Sequence, residues 1–475
     1  MGRGSPLMPR ISVAILVALA AAHAPARESL VIRGGTVIDT RTGRALDNYT
    51  VVIEGGRITR LAPATEVATP PAARIAEARG LWLLPGLIDM HVHGSARPDV
   101  PLSLYVANGV TSIRDLGGAL TSLQLLRQEL QSGKRVGPRL YFAGPVLDGD
   151  PPTAPSISII ANTPTRAVSA VHFLADQGVD AIKVYNGISA PILRAIVQTA
   201  RRRHVPVVGH VPRAITASQA VQLGLRVVEH SPIRAVDLES WGMLAADEAE
   251  RIRESPSVTV REALVWHQLD LKARPVAALV AKLAAARTFL DPTLSIDEFD
   301  SLFLYPEQAS HPNNRFLRRS LVDEALGPEH QIFKVPGDLA GAARAGVEKR
   351  RAFIQMCHRA GVRIIAGTDG PGIGSLAPGF GIHRELELLV TAGLTPLDAL
   401  RAGTFDAALA LGDERNLGSI DEGKLADIVV VRGDPRLNIV YASRVEAVVL
   451  RGRLFDRATL DSLLAQTAND AIRDK

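Results

Sequence analysis

The chain of 475 residues has one cysteine, Cys357, so no intrachain disulfide can staple it. Its stability has to come from a buried core, and 50.7 kDa is enough chain to build one. Charge of one sign is also scarce. The net value is +5, or about +3 without Arg3 and Arg10. So small an excess, from scattered basic residues, argues against a nucleic-acid binder. The short cluster "RRRH" at 201–204 reads as a solvated helix end. No Gly-rich dinucleotide fingerprint follows the first candidate strand, which argues against an open nucleotide-binding sheet. No G-x-S-x-G elbow is present, so a serine nucleophile of that type is excluded. With 47% apolar and 22% charged residues, the composition is that of an ordinary soluble globular chain.

One apolar stretch stands apart. Arg3 and Arg10 precede "ISVAILVALAAA", and "APA" at 24–26 supplies small-x-small cleavage chemistry. The run is shorter than the roughly 20 residues of a membrane span, and no cysteine follows it to carry a lipid. Residues 1–26 are therefore expected to be an export signal, giving a periplasmic or secreted protein without stable membrane insertion.

Residues 27–85 are β-rich, with "SLVIRGGTVID" and "YTVVIEGGRITRLAP" each carrying a Gly-Gly turn signal. The same texture returns in 412–475, in "ADIVVVRGD" and "VEAVVLRGRLFD". A small β-sandwich built from both ends is the expectation. Between them, from 86 to 411, short apolar runs alternate with helix-like stretches. The strand candidates are 86–93, 110–116, 139–145, 180–185, 205–211, 226–231, 288–294 and 362–369. Eight strand–helix repeats predict an α/β fold, a (β/α)8 TIM barrel. The interval 232–287 exceeds one crossover and is expected to add helices over the mouth.

In such a barrel the strand C-terminal ends converge on one rim. His91 and His93, in "LLPGLIDMHVHG", end the first strand, two residues apart and hence on one side. Lys183, His210, His230 and Asp369 fall at the ends of the fourth, fifth, sixth and eighth. Six side chains of metal-ligating type on one rim point to a metal centre. Arg114 and Tyr185 stand near strand ends, where either could meet a substrate carboxylate or carbonyl, and Arg114 could equally pair with a barrel acid. His383 opens a helix after the eighth strand and is a further substrate-contact candidate. Glu229, one residue before His230, is expected to point away from it.

In order, "LPGLIDMHVH", "GVTSIRDLGG", "DAIKVYNGIS", "VPVVGHVP", "VVEHS" and "AGVRIIAGTDGPG" resemble the metal-dependent amidohydrolase superfamily, in its imidazolonepropionase-like or prolidase-like (Xaa-Pro dipeptidase-like) group. The tail "LTPLDALRAGTFDAALALG" through "LADIVVVRGDP" is similar to that group's return to the small β-domain. The resemblance implies that His91 and His93 bind the more buried divalent ion, zinc by expectation. His210 and His230 would bind a second ion or lie beside a single one, and Asp369 would ligate and shuttle the proton. Lys183 would be carboxylated, its carbamate bridging two ions; an unmodified lysine in a one-ion site is the alternative. The sequence departs from the group at "GHVP", where Val211 and Pro212 replace a second histidine.

The activity so implied is hydrolysis of a C–N bond, amide or peptide, in a small or dipeptide-like substrate, through water activated by the metal. A lactone or ester hydrolase on the same site is one alternative, and a non-catalytic binding protein is another. A homo-oligomer is compatible with either.

Overall fold

The computed structural model describes residues 29–255, 257–301, 305–327 and 339–473, so the expected export signal lies outside the described residues. No helix among them is long and apolar enough to cross a membrane.

All eight candidate runs contain a strand. They are Leu87–Val92, Val110–Asp115, Arg139–Phe142, Ile182–Val184, Val207–Gly209, Val227–Glu229, Phe289–Asp291 and Arg363–Ile364, with two additional short strands at Val146–Asp148 and Ser158–Ile160. Neighbours pair in parallel in two sets. Hydrogen bonds connect the sets at both seams. Asp180 N–H donates to Phe142 O at 2.8 Å, and Met90 N–H donates to Ala366 O at 3.0 Å. Ile88, Met90, Leu116, Ala143, Ala181, Val208, Val227, Phe289 and Ile365 meet in one buried cluster, so every run sends an apolar side chain to a common interior. This succession is consistent with a (β/α)8 barrel.

The runs are short and β-branched because both of their faces are covered. Ile182 and Val184 join the outer core with Ile192, Leu193, Ile196 and Val197 of helix Ala190–Arg202. Lys183 between them points the other way. Close approach also demands glycine here. A Cβ on Gly209 would lie 2.1 Å from Val184 O, and its φ of 137° suits no other residue. The interval 232–287 holds helices Ala235–Ser240, Ala246–Glu254, Val258–Gln268 and Arg274–Ala285. Trp266 anchors this segment, buried edge-on against Phe353 of helix Ala340–Arg359 at 5.6 Å.

The two chain ends share one mixed sheet. Its order is 453–456, 445–450, 428–431, 82–85, 30–38, 45–54 and 57–63, with 74–77 paired to 30–38. Strand Trp82–Pro85 is the seam, running antiparallel to Ile428–Val431.

Candidate active site

His91, His93 and Asp369 come together at the strand ends. His91 Nε2 lies 3.3 Å from His93 Nε2, and Asp369 Oδ1 lies 3.3 Å from the first and 3.1 Å from the second. A tetrahedral ion bound at about 2.0–2.1 Å holds its ligand atoms about 3.3–3.4 Å apart. The triangle matches that edge length, so these donors fit a divalent cation. Burial opposes charge on His93 and Asp369 alike. On the histidine the hydrogen bond to Asp369 and the charge of that carboxylate together outweigh it, and on Asp369 the surrounding imidazoles overcome it and hold the carboxylate ionised.

His230 and His210 complete the wall, their rings 4.8 Å apart, and His230 lies 4.8 Å from the His91 ring. Each is oriented through Nδ1, His230 by Thr293 Oγ1 at 2.7 Å and His210 by Asn186 Oδ1 at 3.0 Å. Nε2 is then the ring nitrogen left to ligate. His230 Nε2 stands 3.8 Å from Asp369 Oδ2. The backbone takes unusual shapes to achieve this. His230 (φ 61°), Thr293 (φ 47°) and Asp369 (φ 56°) are all left-handed, a strain that clusters at functional sites.

Lys183 is fully buried with Nζ 3.3 Å from His91 Nε2, and no carboxylate among the described residues is within ion-pairing distance of it. Burial lowers its pKa. An ammonium offers no lone pair to a cation, whereas a carbamate offers two anionic oxygens, so the lysine fits the centre only in its carboxylated form or as a bystander. The Tyr185 ring lies 4.2 Å from the His210 ring, tilted by 37°, and burial pushes its phenol up to about 12.

Two candidates belong elsewhere. Arg114 is 2% exposed and committed beneath the site, donating to Met90 O at 2.7 Å and Glu229 Oε1 at 2.9 Å. It supports an acid and does not face a substrate carboxylate. His383 is buried with Nε2 2.9 Å from Asn108 O, at the start of strand Val110–Asp115 and hence on the side away from the strand ends. Burial lowers its pKa to about 4, which suits a neutral structural imidazole. His172, His204, His267, His311 and His358 sit on helices or turns apart from the cluster, and His330 lies outside the described residues.

Glu229 corrects the expectation for it. It is in phase with Val227, whose side chain faces the interior, and the strand ends there. The left-handed His230 breaks the alternation, so both residues turn inward. Glu229 Oε2 accepts from His91 Nδ1 at 3.1 Å, fixing the tautomer that presents Nε2. Asp291, at the end of the seventh strand, is a further residue that sequence reasoning missed. It lies 3.8 Å from His91 Nδ1 and 3.6 Å from Arg114, and its pKa is raised well above the usual range by burial and then by Glu229. Gly367 makes room for both, since a Cβ there would sit 2.4 Å from Asp291 Oδ2 and 2.6 Å from His91 Cβ.

Glu229 is directly testable. Glu229→Gln keeps the shape but loses the charge on His91, and metal affinity measured by competition with a chelator should fall about 10–100-fold. Glu229→Ala should also destabilise the fold in denaturant melts, because it takes the nearer carboxylate from buried Arg114 and leaves only Asp291, at 3.6 Å.

A cavity of about 660 Å³ opens beside His93. Ala96, Val100, Leu123, Ile157, Leu317 and Leu321 give it apolar walls. Arg97 closes one side through a bidentate pair with Glu324 of helix Arg319–Leu326, at 3.0 and 2.7 Å. Asp115 braces the loop, accepting from Ser95 N–H and Oγ–H and from Gly117 N–H.

Comparison with known proteins finds the same fold. The amidohydrolase family profile matches residues 316–455. An imidazolonepropionase of Symbiobacterium thermophilum is 24% identical over 84% of this chain and 88% of its own length. Among solved structures, a bottromycin amidohydrolase superposes with a TM-score of 0.71 at 23% identity, covering 93% of this chain and 90% of that one. A Xaa-Pro dipeptidase with bound methionine in its active site gives 0.64 at 21% identity, covering 90% of this chain and all of that one. Over most of its length the chain is similar to imidazolonepropionases and prolidase-like amidohydrolases, and within residues 316–455 it matches the amidohydrolase family profile itself.

Proposed function

We propose that this protein hydrolyses a C–N bond, amide or peptide, in a small or dipeptide-like substrate at a divalent metal centre on a (β/α)8 barrel, carried with a terminal β-sandwich as an exported enzyme. The observation that carries the reading is the triangle of His91 Nε2, His93 Nε2 and Asp369 Oδ1 with its 3.1–3.3 Å edges. His210, His230 and carboxylated Lys183 would hold a second ion. When bound, a divalent cation acidifies water towards a pKa of about 7 and polarises the carbonyl it meets.

The chain's own residues do the rest. Asp369, kept ionised among the imidazoles, takes the proton of the attacking water at a carboxylate oxygen and passes it to the leaving nitrogen. Arg114 and Glu229 fix the His91 ring from below. Tyr185, beside His210, is placed to donate from its hydroxyl to a substrate oxygen. The cavity beside His93 takes an apolar group of the substrate and keeps water from it.

The test is metal content per chain together with hydrolysis of a panel of dipeptides, N-acyl amides and lactones. Cleavage of apolar amides or dipeptides is expected only in metal-loaded protein. Cleavage of lactones with none of amides would move the assignment to ester hydrolysis. Full activity after complete metal removal would overturn it.

A further inference from the structure

A second cavity, of about 530 Å³, lies between the terminal sheet and the segment after helix Leu120–Ser132. Gly137 and Arg139 line it, and Arg139 opens a strand, so it faces the strand starts rather than the metal centre. Its lining includes Arg74, Arg135, Arg139, Arg451 and Arg453 and no carboxylate residue.

The charge there is only partly balanced from behind. Arg74 pairs with Asp456 and Arg139 with Asp427. The Arg451 guanidinium donates to the carbonyls of Gly137 and Pro138, at 3.3 Å each, while its backbone N–H donates to Asp427 Oδ1 at 2.7 Å. Arg453 lies over the Phe455 ring at 4.8 Å. Among the described residues, Arg135, Arg451 and Arg453 have no carboxylate within ion-pairing distance. The Nε atoms of Arg139 and Arg451 are buried without a hydrogen-bond partner, which leaves donors unused on two lining residues. Leu130, Val136, Leu454 and Phe455 form the remaining apolar walls.

We propose that this cavity binds an organic phosphate, the phosphoryl group on the Arg135, Arg451 and Arg453 guanidiniums and an apolar body against Leu130, Val136 and Phe455. Guanidinium forks match phosphate oxygens in pairs, and three unpaired ones suit a charge of about −2. The volume exceeds what a bare phosphate fills, and the apolar walls accommodate the rest of the ester.

The experiment is calorimetric titration of the full chain with phenyl phosphate at about 0.15 M salt, where surface attraction is largely screened. Arg135→Ala/Arg453→Ala is the test variant, since both side chains stand at the accessible rim. Arg194→Ala/Arg201→Ala, on an exposed helix face, is the control of equal charge. Saturable binding is expected, weakened roughly tenfold or more in the test variant, unchanged in the control, and weaker for inorganic phosphate than for the ester. Sedimentation with vesicles containing phosphatidic acid, lost in the test variant, would identify the ester as a lipid headgroup. Phenyl phosphate binding without sedimentation would identify a soluble one. Absence of saturable binding, or equal weakening in both variants, would overturn the site.

Discussion

His91→Ala and His93→Ala should each yield a folded protein with less bound metal and hydrolysis reduced at least about 100-fold, the scale on which even the partners behind metal ligands act. The reason is geometric. Each histidine supplies one corner of the triangle whose third corner is Asp369 Oδ1, and with either missing only two corners remain. The variants should still differ. His91 is fully buried and answers to Glu229, so its loss leaves a cavity and an acid oxygen, Glu229 Oε2, without its partner. His93 stands half in the open at the mouth of the substrate cavity, so its loss should cost activity with little change in melting temperature. Metal analysis and thermal melts on the same preparations separate the two. A normal metal load with full turnover in either variant would remove that residue from the centre.

Lys183→Ala should have an effect of similar size for a different reason. Ile182 and Val184 pack outward, which aims Lys183 inward at His91 Nε2. An ammonium in that place would repel a cation strongly, and carboxylation turns the repulsion into ligation. We therefore expect two ions per chain in protein reconstituted with metal and bicarbonate, falling to one or none in the variant. A short carboxylic acid should restore part of the activity by filling the gap left by the side chain. One ion per chain at full activity, with an unmodified lysine by intact mass, would establish the one-ion alternative.

The strands were legible because parallel strands covered on both faces read as compact apolar bursts, such as "AIKVY" and "VPVVGHV". The gathering of His91, His93, Lys183, His210, His230 and Asp369 followed from strand-end position alone. Alternation was a sound guide for Lys183 and failed at Glu229, where one left-handed residue resets the phase. A backbone angle of that kind leaves no trace in hydrophobic pattern, particularly when a histidine adopts it. Arg114 could not be assigned from sequence, because its partner lies 115 residues away. Asp291 drew no notice in "TFLDPTL", since an aspartate before proline is also an ordinary turn signal. Helix Arg319–Leu326, which walls the cavity beside His93, sits in a stretch without strand rhythm, and nothing local shows which opening it covers.

The shared sheet of the two chain ends has a consequence for how the protein is made. Strand Trp82–Pro85 is synthesised early, but its antiparallel partner Ile428–Val431 leaves the ribosome only after some 340 further residues. Until then the early strand presents an unpaired apolar edge, the kind of surface that attracts another chain. The last strands in the order, 445–450 and 453–456, attach only through that late partner. A ribosome that stalls within the barrel would therefore release a chain with a sticky open edge. The protein should depend on a holding chaperone late in synthesis, well after the residues of the candidate site up to His230 have emerged.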